Sequence, residues 1–114
     1  MIVIERSEKL QWDIIEKGKE KLLEWSKENN AHIFTVHFVP IGFSPLEVYI
    51  FYDNDSDIVH NSKNGVTDNV KRVFLETISD LDYMKVFDDN IIFTFDSNEN
   101  VIKNYQGSYF FRLR

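Results

Sequence analysis

The chain has no cysteine, only two prolines and four glycines, and no long apolar run. Without cysteine there is no disulfide framework, no thiolate zinc site and no thiol nucleophile. That composition suits a reducing compartment, so the cytoplasm is the expected location. The N-terminal stretch MIVIERSEKLQW carries only Ile2, Val3 and Ile4 after Met1 before charges begin, which is not the pattern of a signal peptide. A membrane-spanning helix needs a hydrophobic stretch of about 18 residues or more, and none occurs. Few glycines also make a phosphate cradle difficult to build. No G-x-G-x-x-G, glycine-rich phosphate loop, H-E-x-x-H or G-x-S-x-G is present. No cofactor is expected, and the chain does not read as an enzyme.

What is present is core-forming material. The 114 residues are 43% hydrophobic and include ten Phe, five Tyr and two Trp. A chain of this size buries enough surface to fold as a single domain, here residues 1–114. The net charge of −6 is unevenly spread. Met1 to Leu46 holds seven acids and six bases, and Glu47 to Glu99 holds twelve acids against Lys63, Lys71, Arg72 and Lys85. The last fifteen residues carry Lys103, Arg112 and Arg114 with no acid. An acidic middle repels phosphate backbones and attracts basic partners, so nucleic acid is not an expected ligand.

Along the chain, Ile2-Val-Ile4 is either a small edge strand or a tether. Ser7 can cap a helix whose apolar positions Leu10, Ile14, Ile15, Gly18, Leu22 and Trp25 share one face. Gly18 on that stripe marks a place where the helix lies close to the sheet. His32–Val39 and Glu47–Tyr52 alternate as strands and form a hairpin around Pro40 and Pro45, which cannot donate to a ladder. Asp53–Gly65 is a long polar connection, after which Thr67 caps a second helix with Val70, Val73, Phe74, Thr77, Ile78 and Leu81 on one face. Tyr83–Phe87 is a candidate strand. Ile91–Phe95, Val101–Tyr105 and Ser108–Leu113 then read as an antiparallel meander, turned at Asp96–Asn100 and at Gln106-Gly107. The expected fold is α+β, a mainly antiparallel sheet with a long N-terminal helix and a second helix packed on one face.

Candidate chemistry is sparse. Asp53, Asp55 and Asp57 match the first three ligands of a calcium loop, but Ile58 stands where the turn glycine belongs and Asn64 replaces the twelfth-position glutamate. No metal site is expected. His32 and His37 are five residues apart on a strand, an odd separation that sends them to opposite faces. His60 has no second histidine nearby. From Glu76 to Glu99 there are seven carboxylates and one lysine. If that region and the Asp53 segment meet at one end of the sheet, they form one acidic surface.

The strand VYIFYD (48–53), the polar loop and helix after it, and FTFDSNENVIKNY (93–105) resemble the YezG-like immunity proteins of bacterial polymorphic toxins. The chain is also similar in size and charge to the acidic immunity proteins of contact-dependent growth inhibition. It departs from the pattern at Val86-Phe87-Asp88, where a tryptophan is usual. The resemblance implies a cytoplasmic protein that binds and blocks one cognate toxin, typically a nuclease with a basic surface. Asp53, Asp55, Asp57, Asp88, Asp89, Asp96 and Glu99 are the expected partner-binding acids, with Tyr52 and Tyr105 as aromatic anchors. The alternatives are a small α+β hydrolase using Asp and His in a sheet-lined pocket, and a regulatory subunit that binds another protein.

Overall fold

A computed structural model describes residues 2–40, 46–80 and 91–114, with side chains described from Trp12 onward. The first helix, α1, spans Ile2–Asn29. Ile2–Ile4 and Ser7 lie within it, so the backbone becomes helical earlier than a cap at Ser7 requires. Strands β1 (Ile33–Pro40) and β2 (Leu46–Tyr52) follow, then helices α2 (Asp55–Lys63) and α3 (Val66–Asp80). Strand β3 (Ile91–Ser97) leads into two short helices, α4 (Asn98–Asn104) and α5 (Tyr109–Arg112). The class is α+β, with the long N-terminal helix in place and a further helix packed against the sheet.

The sheet has the order β1-β2-β3 and is mixed. β1 and β2 form the expected hairpin, with Val36 opposite Ile50 and Phe38 opposite Val48. β3 instead pairs with β2 in parallel, with Val48 beside Phe93 and Tyr52 beside Ser97. Parallel neighbours need a long crossover, and the chain from Asp53 to Asn90, which holds α2 and α3, supplies it. The alternating side chains Val36, Leu46, Val48, Ile50 and Tyr52 are buried on one face. Ile14, Ile15 and Leu22 of α1 and Val70, Phe74 and Ile78 of α3 close the same core. Each fully buried aliphatic or aromatic side chain stabilises the fold by roughly 1.5–3 kcal/mol before entropy is counted.

Gly18 does mark a close approach, but to α3 and not to the sheet. A Cβ there would lie 2.9 Å from Phe74 Cε1 and 3.0 Å from Ile78 Cγ2. The expected meander is also replaced. Ser97 caps α4 by accepting from Asn100 N–H at 3.0 Å, so Asp96–Asn100 opens a helix instead of turning a hairpin. Glu99 in the first turn and its pair with Lys103 four residues on favour that helix. Gln106 and Gly107 then adopt φ of +56° and +75°, breaking the chain before Ser108 caps the single turn α5. The polar connection after Asp53 likewise holds a helix, because Asp57 accepts from Asn54 N–H at 3.0 Å and fixes the first turn of α2. Thr67, expected as a cap, lies inside the first turn of α3. The candidate strand Tyr83–Phe87 falls outside the described residues.

Candidate partner-binding site

Because β2 and β3 are parallel, their carboxyl ends lie side by side, and the acidic segments that follow them meet. Asp53 N–H donates to His32 O at 2.9 Å, and Asp53 O accepts from Glu99 N–H at 3.2 Å. Asp55 N–H donates to Glu99 Oε1 at 2.8 Å, and Ser97 Oγ donates to Asp55 Oδ1. Residues more than forty positions apart thus form one acidic edge. Asp53 and Asp55 are exposed on it, and Glu99 is partly exposed. Glu99 is held below the usual carboxylate range first by its hydrogen bond to Lys103, 2.9 Å away, and then by Asp55 N–H.

Two of the other expected acids, Asp57 and Asp96, are engaged inside the fold. Asp57 is buried, with Oδ1 accepting from His32 Nδ1–H at 3.0 Å and Oδ2 from Asn54 N–H. Asp96 is buried as well, on the sheet face away from the core, where Arg112 Nε donates to it together with Asn100 Nδ2 and Ser97 N–H. Neither is the free, solvated carboxylate that strand-end placement suggests. A carboxylate taken from water needs such partners. Tyr52 is fully buried and bonds Thr67 Oγ1 at 2.9 Å, so it is a core residue and not a surface anchor. Burial pushes its hydroxyl pKa up. Tyr105 is half-buried, with the Arg112 guanidinium 5.7 Å from its ring centre. Asp88 and Asp89 lie outside the described residues.

Three participants carry little signal in the sequence. His32 takes a left-handed φ of +64° and orients Asp57; Ser97 links the two acidic segments; Arg112 neutralises Asp96. Only Arg112 had a usable signal, since a basic, acid-free tail in an acidic chain invites internal pairing.

The histidines do not converge. His32 sits at the acidic edge, His37 stacks on Tyr109 with ring centres 4.9 Å apart, and His60 is exposed on α2. A cleft of about 540 Å³ between α1 and α3 is lined by Lys17, Glu20, Lys21, Glu24, Thr77 and Asp80, without a histidine. Among the described residues, no group of three His, Asp or Glu side chains is placed to hold a metal ion, and no helix is long and apolar enough to cross a membrane. No family model matches the chain, and comparisons with curated proteins and with solved structures return no significant match.

Proposed function

We propose that this is a cytoplasmic immunity protein that binds a basic bacterial toxin, with nuclease as the toxin's chemistry, through the acidic edge at the carboxyl ends of β2 and β3. The observation that carries the reading is the joining of the Asp53–Asp55 and Ser97–Glu99 segments into one edge. Nuclease surfaces that hold phosphate are basic, and an acidic domain occupies such a surface through charge complementarity. Asp53 and Asp55 are the exposed carboxylates there; Glu99 contributes charge and also holds the edge together. The separation of the three histidines favours this reading over the hydrolase.

The test is co-expression with the toxin domain encoded beside this chain's gene, followed by titration of the two purified proteins at low and high salt. Protection of the cells and binding that weakens with salt are expected. Asp53→Lys combined with Asp55→Asn should slow association more than it speeds dissociation, as rim charges do. Absence of both protection and binding overturns the proposal.

A further inference from the structure

Four residues of the chain precede a glycine, and only one of them is asparagine: Asn64, before Gly65. The backbone nitrogen of the next residue can attack an asparagine carboxamide through a five-membered ring, and glycine leaves that nitrogen unshielded. The pair lies at the junction of α2, which ends at Lys63, and α3, which begins at Val66. Asn64 is exposed, and a Cβ built on Gly65 would meet nothing within 4 Å. Asn61 on the same helix is by contrast buried, with Nδ2 donating to Ala31 O at 2.9 Å.

Asn64 closes α2 with φ −94° and ψ 5°, its N–H donating to His60 O at 3.1 Å. Its Oδ1 accepts from Val66 N–H at 3.1 Å. That bond folds the carboxamide back over the Gly65 peptide unit and draws charge from Cγ. What remains is to turn the peptide plane between the two residues until Gly65 N faces Cγ. Such a turn changes ψ of Asn64 and φ of Gly65 in opposite senses and leaves both Cα atoms, and hence both helices, in place. Gly65 has φ +86°, and glycine passes from there to the extended range without the clash a Cβ would bring. The junction bonds from Asn64 N–H to His60 O and from Asn69 N–H to Gly65 O belong to other peptide units and survive the turn.

We infer that Asn64 is a site of spontaneous deamidation in the folded chain. Gly65 N, losing its proton to solvent, forms a bond to Cγ; the Cγ–Nδ2 bond breaks and ammonia leaves. Water then opens the cyclic imide at Cγ to give aspartate, or at the Asn64 main-chain carbonyl to give isoaspartate. Either product adds one negative charge to the formal −6. The aspartate keeps an acceptor for Val66 N–H at the start of α3. The isoaspartate routes the chain through Cβ and Cγ, and so lengthens the crossover that places β3 beside β2.

The test is incubation of the intact protein in neutral to mildly alkaline buffer, with samples separated by anion exchange and digested with trypsin. The peptide 64–71 should gain one mass unit and split into aspartate and isoaspartate forms, told apart by isoaspartyl methylation. Asn69 lies in the same peptide, is also exposed and precedes Val70, so it serves as an internal standard. Fragmentation should place at least about tenfold more of the change at Asn64, because Val70 shields its nitrogen and α3 fixes the peptide plane at Asn69. Asn64→Gln should remove the added charge, since its ring would need six members. Modification in urea should be faster than in native buffer by less than about tenfold, because the exposed junction reacts without global unfolding. A smaller excess at Asn64, a charge gain that persists in Asn64→Gln, or a native rate that lags the urea rate by more than that margin overturns the inference.

Discussion

Replacing Gly18 by alanine sets two opposing effects against each other, and the packing around it decides the sign. In the middle of a 28-residue helix, alanine is favoured over glycine by ~1 kcal/mol. Against that, the new Cβ would lie 2.9 Å from Phe74 Cε1 and 3.0 Å from Ile78 Cγ2. Both side chains are fully buried and cannot swing into solvent. Phe74 is also held by Phe38 at 5.7 Å and by Phe93 at 6.0 Å between ring centres. α1 and α3 must therefore separate by some tenths of an ångström, and forced overpacking of this kind costs about 1–3 kcal/mol. The net expectation is a loss of about 1 kcal/mol, read as a lower urea midpoint with an unchanged slope. In a Phe74→Leu background the ring edge is gone, and Gly18→Ala should become neutral or stabilising by up to ~1 kcal/mol. A Gly18→Ala protein more stable than wild type would refute the close contact between the helices.

Two further outcomes follow from the second face of the sheet. His37 is held below its ordinary value of 6.5, first by burial and then by Lys19. Folding therefore favours the neutral ring, so its contribution is complete above about pH 6.5 and is lost as pH falls through the lower folded-state value. Thermal melts of wild type and His37→Gln should converge on acidification, and parallel curves would remove His37 from the pH response. Arg112→Ala should destabilise by about 2–3 kcal/mol in urea, somewhat below the usual loss for breaking a buried pair, because Arg112 keeps 21% of its side-chain surface exposed. Asp96→Asn/Arg112→Gln should recover most of that loss. If the double variant is no better than the single, the cost comes from the ring contacts of Arg112 with Tyr49 and Tyr105.

The parts of this fold that were legible in the sequence are those where local pattern and tertiary packing agree. The period-2 alternation of β1 and β2, and the apolar stripes of α1 and α3, name most of the buried core from residue spacing alone. The segment after β3 departs from the expected meander because its residues satisfy two patterns at once. Ser97 and Asn98 are turn formers, yet Ser97 is equally a helix cap, and the capped reading wins because Glu99 and Lys103 fall one helical turn apart. Tyr109-Phe-Phe111 has the composition of a strand, but Gly107 breaks the chain and Ser108 accepts from Phe111 N–H, closing a helical turn there instead. The same ambiguity governs the candidate site. Sequence distance alone does not choose between a hairpin and a parallel crossover for β3. A hairpin of β3 onto β2 would have placed Asp96–Glu99 at the far end of β2, away from Asp53. The parallel register makes Tyr52 and Ser97 neighbours, and the acidic edge is a consequence of that one choice of strand direction.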